Sequence, residues 1–312
     1  GCRNGACGSC MGSVIDGNVS YGDGNPPALD DADAAAGKAL FCQAHADSDL
    51  TIQVREVDAA RDIEIKTLPC RVEKLEHLAH DVIRIYLKMP ATERLQFLAG
   101  QYIDVLIRDH DPRSFSIANA PHDDEYIELH IRYVEGGLFT DQVFHHMKEK
   151  TLLRIKGPLG TFFLREDSER PIVLIGGGTG FAPLKGILEH AFEIGVERPI
   201  HLFWGVRARR DLYLDELPRQ FARDHGNFSY TPVLSEPRPD DDWDGETGFV
   251  SDAVVSAIPD LSGHDVYMSG PPVMVEAGHA LFMQHGLDES RFFSDAFEYA
   301  AIAESIKGLK QD

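Results

Sequence analysis

Four cysteines, Cys2, Cys7, Cys10 and Cys42, carry the most specific chemistry in this chain. The first three read C-x4-C-x2-C, and the fourth follows after 31 intervening residues, 11–41. That is the ligand spacing of a plant-type [2Fe–2S] cluster, in which a tight loop supplies three thiolates and a distant strand returns the fourth. Gly1, Gly5 and Gly8 suit a loop that bends around sulfur and turns N–H groups toward it. A disulfide pair or a scattered set of thiols would not require this spacing. The remaining cysteine, Cys70 in TLPCRVEKL, is expected to be a small buried hydrophobe. Cluster thiolates plus one lone thiol point to a reducing, cytoplasmic setting.

A second set of residues suits a flat ring carrying a pyrophosphate. In Arg113-Ser114-Phe115-Ser116, alternation along a strand puts Arg113 and Phe115 on one face. A guanidinium beside an aromatic ring suits a diphosphate and a ring system, and Ser116 can donate to a ring nitrogen. Further on, Gly136-Gly137-Leu138-Phe139-Thr140 opens a helix whose first amides suit a phosphate anion. By itself RSFS reads simply as a strand.

A third set is the buried strand Ile172-Val173-Leu174-Ile175, followed by Gly176-Gly177-Gly178-Thr179-Gly180-Phe181-Ala182-Pro183. Glycines let a backbone approach the phosphates of a dinucleotide, and the helix starting near Pro183 aims its N-terminal amides there. Arg207, Arg209 and Arg210 follow the next strand, where the adenosine ribose should lie; they suit a 2′-phosphate or a solvated basic turn. The His77/His80 and His145/His146 pairs lack a nameable third ligand in the sequence. Like Trp204 and Trp243, they are given no role.

Taken together and in this order, the three sets resemble the ferredoxin–NADP reductase superfamily, in the form that carries an N-terminal plant-type ferredoxin domain. CRNGACGSC, RSFSIANAP, HIRYVEGGLFT and FFSDAF look most like the CDP-6-deoxy-3,4-glucoseen reductases and, beyond them, the reductase components of aromatic-ring and methane oxygenases. The resemblance covers about residues 1–297. It implies that Arg113 and Gly137 to Thr140 hold the FAD pyrophosphate, and that Phe115 and Ser116 meet the flavin and ribityl region. His130, Ile131 and Arg132 would line the same site. Gly177, Gly178, Thr179, Gly180 and Pro183 would bind the nicotinamide dinucleotide. Ser269, Gly270 and Pro271 of YMSGPP resemble the nicotinamide-side loop, with Ser269 where many members carry Cys. Glu236 stands where NADP-using relatives tend to have Arg. A carboxylate there would repel a 2′-phosphate and could accept from a ribose hydroxyl, which favours NADH, with NADPH the other reading. Phe297 would shield the flavin face that nicotinamide must reach, the other reading being a core aromatic. Ser116, Ser269 and Phe297 are thus the residues expected at the reacting rings.

These sites need three supporting units. Residues 1–60 are expected to form a partial β-grasp ferredoxin domain, with a hairpin around Asp16-Gly17, a short helical stretch delivering Cys42, and a strand in LTIQVREV. The resemblance implies a hairpin and helix ahead of Cys2, so the chain reads as a fragment with strand edges and apolar surface left uncovered. DAARDIE, about 58–64, is the expected linker. Residues 66–165 read as an antiparallel β-barrel interrupted by one helix, FTDQVFHHMKEK. Residues 166–297 alternate strand and helix, which means a Rossmann-like parallel sheet. The tail 298–312 is helix-permissive.

Composition narrows the partners. Thirty basic residues against 51 acidic ones give a formal net charge of −21. Such a chain repels nucleic acid and anionic membrane and suits a basic protein partner. No apolar run approaches the roughly 18 residues of a membrane span. The expected function is transfer of electrons from NADH through FAD to the cluster and on to a protein acceptor, a dehydratase or an oxygenase component. A free flavin or ferric reductase, and a cluster-bearing redox sensor without turnover, are the other readings.

Overall fold

The computed structural model describes residues 5, 8, 10–22, 24–54 and 58–297. Cys2 and Cys7 lie outside them, as does the tail 298–312.

The first part is built from short strands: β1 (Met11–Asp16), β2 (Val19–Ser20), α1 (Asp31–Ala35), β3 (Lys38–Leu40), β4 (His45–Ala46) and β5 (Thr51–Gln53). The hairpin expected at Asp16-Gly17 does not form. β1 lies between β3 and β5, while β2 pairs with β4. Gly17, at φ +90°, makes the turn, but it passes the chain from one sheet to another. Asn18 donates its backbone N–H to Ser48 Oγ, and its carbonyl accepts from the Asp47 N–H. Both flanking strands therefore find partners farther along the chain. Ile15, Ile52 and Val54 remain exposed on this part.

The second part is the barrel: β6 (Lys66–Ala79), β7 (Val82–Lys88), β8 (Tyr102–Val105), β9 (Arg113–Ser116), β10 (Ile127–Arg132), α2 (Leu138–His145) and β11 (Leu152–Leu159). All pairs are antiparallel, in the order β10-β7-β6-β11-β8-β9. A bridge between Ile117 and Leu129 joins the two ends and closes the barrel, which leaves no long edge open. β10 shows how the sequence positions side chains. Ile127, Leu129 and Ile131 fill the barrel core, so Glu128, His130 and Arg132 project outward. The helix is shorter than FTDQVFHHMKEK suggested. It stops at His145, and a turn with Lys150 at φ +70° leads into β11.

The third part alternates β12 (Ile172–Gly177), α3 (Phe181–Glu193), β13 (Ile200–Val206), α4 (Glu216–Asp224), β14 (Phe228–Leu234), β15 (Glu246–Thr247), α5 (Val250–Ala257), β16 (Asp265–Gly270), α6 (Pro272–Gln284) and β17 (Phe292–Ala296). The parallel sheet runs β15-β14-β13-β12-β16-β17. Both faces are covered. Leu174, Leu202 and Trp204 pack with residues of α3, whereas Ile175 and Phe203 pack with residues of α5 and α6. Chain order reverses between β12 and β16, and in open α/β sheets ligands bind at the strand carboxyl ends beside that switch. Among the described residues, no helix is long and apolar enough to cross a membrane.

Candidate functional site

Cys10 immediately precedes β1 and Cys42 lies two residues beyond β3, and pairing of these strands (Met11 opposite Leu40) brings both cysteines to one end of the sheet. The Phe41 N–H donates to the Cys10 carbonyl at 3.2 Å. Gly5 and Gly8 adopt φ +79° and +69°, backbone conformations that other residues resist. The convergence of Cys10 with Cys42 beside a glycine-turned loop fits a thiolate-ligated cluster.

On β9, Ser114 donates to Asp104 Oδ1 at 2.6 Å, while Arg113 and Phe115 share the other face, both half-buried. Phe115 packs against Phe139 with ring centroids 5.4 Å apart. Arg113 Nη1 donates to the Asp111 carbonyl at 2.8 Å. Gly136, at φ +74°, turns the chain into α2, and Gly137 caps it with no side chain over the first amides. Thr140 is buried, and its hydroxyl serves its own turn: it accepts from the Val134 N–H and lies 3.0 Å from the Val134 carbonyl. Leu138 is exposed beside this opening. The bare helix start fits a phosphate anion.

The three β10 residues part company. Ile131 is a barrel-core residue. His130 is enclosed between Glu128, 2.8 Å from its Nε2, and the Tyr213 hydroxyl, 3.1 Å from its Nδ1. Burial lowers its pKa, so the neutral ring donates from Nε2 to the carboxylate and accepts from Tyr213 at Nδ1. Only Arg132 retains uncommitted polar atoms. Its Nε lies 3.2 Å from Asp81, its Nη2 is buried without a hydrogen-bond partner, and its Nη1 would stand 2.6 Å from a β-carbon on Gly178. The guanidinium therefore faces the glycine turn.

That turn crosses from β12 into α3. Gly178, at φ +56°, requires glycine. A β-carbon on Gly177 would lie 2.5 Å from Met274 Sδ, and one on Gly180 would strike the Ser269 carbonyl. Trp204 Nε1 donates to the Gly178 carbonyl at 2.9 Å, and its indole stacks on Phe181 at 4.1 Å. Thr179 and Pro183 are buried. Ser269 has no exposed surface, and its hydroxyl has no hydrogen-bond partner. An orphaned buried donor at a strand's carboxyl end is the feature expected where a ligand completes the site. Gly270 and Pro271 lead into α6, and the Gly270 carbonyl accepts from the Phe297 N–H at 2.8 Å. Phe297 is half-buried and stands outside the apolar clusters around Phe292 and Phe293. Arg207 and Glu236 follow neighbouring strands β13 and β14, both exposed, with the Glu236 N–H donating to the Arg207 carbonyl at 2.8 Å. Arg209 is tied to the Asp241 carbonyl at 2.9 Å.

Several residues here escaped sequence reasoning. Asp295, on β17 opposite Ser269, accepts a hydrogen bond from Ser116 Oγ at 3.1 Å, joining the barrel to the parallel-sheet part. An acid inside the apolar run FFSDAF was its only signal. Glu128 and Lys185 form a second such link, 3.1 Å apart and both buried. A lysine four residues before a glutamate in the apolar helix FAPLKGILEHAF was the clue there. Trp204, given no role above, contacts the glycine turn. His80 does gather Asp81 and Asp211, but Arg132 and Arg210 already balance those carboxylates.

Three family models match the chain: the 2Fe-2S iron-sulfur cluster binding domain over residues 1–47, the oxidoreductase FAD-binding domain over 69–164, and the oxidoreductase NAD-binding domain over 174–279. The CDP-6-deoxy-L-threo-D-glycero-4-hexulose-3-dehydrase reductase of Yersinia pestis is 42% identical over 296 residues, covering 95% of this chain and 88% of that protein. The reductase component DmpP of phenol 2-monooxygenase from Pseudomonas sp. (strain CF600) is 34% identical over 305 residues, covering 96% and 86%. The crystal structure of the Amycolatopsis cytochrome P450 reductase GcoB superposes with a TM-score of 0.79 at 34% identity, covering 96% of this chain and 90% of that one.

Proposed function

Because the chain belongs to the iron–sulfur flavoprotein reductases that join a [2Fe–2S] domain to FAD- and NAD-binding domains, we propose that it passes electrons from NADH through FAD to the cluster and on to a protein acceptor. The acceptor we favour is a dehydratase acting on a CDP-linked 6-deoxyhexulose, since the hexulose-dehydrase reductase is more similar (42%) than the phenol 2-monooxygenase component (34%).

The observation that carries this reading is the meeting of β9 with the carboxyl ends of β16 and β17. Ser116, at the end of the flavin-side strand, donates to Asp295, and Asp295 pairs in register with Ser269. The two regions we assign to the rings thus meet on one short stretch of backbone. FAD, when bound, accepts a hydride and releases electrons singly, which is the adaptation a one-electron cluster requires. The protein needs to supply position and shelter. Arg113, Gly137 and the first amides of α2 would hold the FAD pyrophosphate, with Leu138, Phe139 and Thr140 shaping that turn. Phe115 would support the ring. Ser116 would line the ring, and its hydroxyl, which donates to Asp295 here, would have to swing from that carboxylate to donate to a ring nitrogen. Gly177 to Gly180 would admit the nicotinamide dinucleotide's phosphates, with Arg132 as countercharge. The Ser269 hydroxyl would meet the nicotinamide carboxamide, and Phe297 would cover the flavin face until nicotinamide arrives. Glu236 would accept from a ribose hydroxyl and repel a 2′-phosphate, favouring NADH.

Cys42→Ser tests the division of labour. The variant should lose one-electron reduction of cytochrome c yet keep NADH-dependent reduction of ferricyanide at the flavin. Equal loss of both activities would overturn the assignment of separate sites.

A further inference from the structure

Lys185 is a cation with only 5% of its surface exposed, and the chemistry outlined above makes no use of it. It projects from α3, one turn beyond the glycine-rich start of that helix. Its ammonium donates to the Ala118 carbonyl at 3.1 Å and pairs with Glu128 at 3.1 Å and with Glu189 at 2.8 Å. Ala118 and Glu128 belong to the barrel; Glu189 lies on α3 itself.

The next residue tightens the same contact. A β-carbon on Gly186 would stand 2.9 Å from the Asn119 carbonyl oxygen and 3.4 Å from that of Ile117. Glycine here lets the helix backbone rest directly on residues 117–119. These residues continue from Ser116 without a break and are held firmly. Ala118 N–H donates to the Glu128 carbonyl, and Asn119 receives the Glu128 N–H on its side-chain oxygen while donating to the Tyr126 carbonyl. The helix that begins at the nicotinamide-side turn is therefore bolted to the strand that carries the flavin-side serine.

We infer that Lys185, with Gly186, is a positioning residue for hydride transfer: it fixes the nicotinamide-binding turn against the flavin-binding strand through Ala118 and Glu128. Two cofactors on separate parts of a chain must bring their rings into contact, and a misplacement of about 1 Å can cost on the order of 100-fold in rate. A buried ammonium shared among a carbonyl and two carboxylates allows little play, because separation would strip it of the Ala118 carbonyl and the Glu128 carboxylate and leave it Glu189 alone. Neither ring need touch Lys185.

This inference rests on the NADH-to-FAD reading, and one experiment separates the two. The FAD-loaded full chain is mixed anaerobically with NADH, and bleaching of the flavin and the long-wavelength absorbance of stacked flavin and nicotinamide are followed. A wild-type chain that NADH cannot reduce would defeat the reading itself. If it is reduced, Lys185→Met should retain its flavin and bind NADH within about threefold of wild type, yet transfer hydride about 10- to 100-fold more slowly and lose most of the stacking absorbance. Native transfer rate and native stacking absorbance in Lys185→Met would overturn the inference. Gly186→Ala leaves every charge in place and wedges a methyl against Asn119; should Lys185→Met fail to fold, the same two readouts in Gly186→Ala decide, by the same criteria.

Discussion

Gly180→Ala adds one methyl group where the backbone permits it and the packing does not. Gly180 sits at φ −58°, a conformation alanine adopts freely, so conformational strain contributes nothing. The new β-carbon would stand 2.5 Å from the Ser269 carbonyl carbon, closer still to its oxygen, and 3.0 Å from the Gly270 nitrogen. Carbon atoms pack comfortably at about 3.5–4.0 Å, so the glycine turn and the end of β16 must part by roughly 1–1.5 Å. Neither neighbour is a flexible side chain. Overpacking of this kind costs about 1–3 kcal/mol of stability. The functional cost should be larger, because the two pieces forced apart are the ones assigned to nicotinamide: about 100-fold in hydride transfer. The assay is anaerobic stopped-flow bleaching of bound FAD by NADH, alongside flavin content per chain. Flavin content should stay near wild type, since the barrel is untouched. Gly226→Ala is the control, because a β-carbon there meets nothing within 4 Å. Native bleaching kinetics in Gly180→Ala, or equal slowing in Gly226→Ala, would refute the steric reasoning.

Two further outcomes are expected. Burial works to raise the Glu128 carboxyl, but the His130 hydrogen bond and the Lys185 charge outweigh it and hold the pKa at about 2, below the ordinary 4.5. The stability it contributes is therefore complete above pH 4.5 and is lost as pH falls toward 2, so acid unfolding followed by tyrosine and flavin absorbance should show a loss in that window. Glu128→Gln should remove the dependence and lower stability, since Lys185 would keep Glu189 as its one carboxylate partner; an unchanged acid profile would count against the buried cluster. Replacing Glu236 by Arg should shift preference toward NADPH by about tenfold or more in kcat/KM, as one charge-assisted contact to the 2′-phosphate is worth about 1.5–3 kcal/mol; an unaltered NADH:NADPH ratio would place the adenosine ribose elsewhere.

What the sequence revealed depended on how local each signal was. The cysteine spacing, the run from Ile172 to Pro183 and the alternation along β10 are local, and each could be read from a dozen residues or fewer. The Asp16-Gly17 turn was also local, and it misled: a turn signal does not say which strand the chain will join next, and here β1 paired with β3 and β5. Alternation along β10 put Glu128, His130 and Arg132 on one outward face, but not against what. A polar face usually meets water; here it meets α3 and Tyr213. The contacts between Glu128 and Lys185 and between Ser116 and Asp295 span 57 and 179 residues. No periodicity encodes such pairings, which exist only once the barrel and the parallel sheet have docked.

The lodging of Trp204 gives this chain an optical gauge. The protein has two tryptophans, and the other, Trp243, is partly exposed in a loop beyond β14. Trp204 is wholly enclosed, stacked on Phe181 and fastened to the Gly178 carbonyl. A sheltered indole emits toward the blue, and reduced nicotinamide absorbs where it emits. Coenzyme settling on the glycine turn would therefore dim the Trp204 emission, and a Trp243→Phe background would isolate that signal. Unlabelled protein and a fluorimeter would then suffice to time the arrival and departure of the nucleotide, independently of any electron moving.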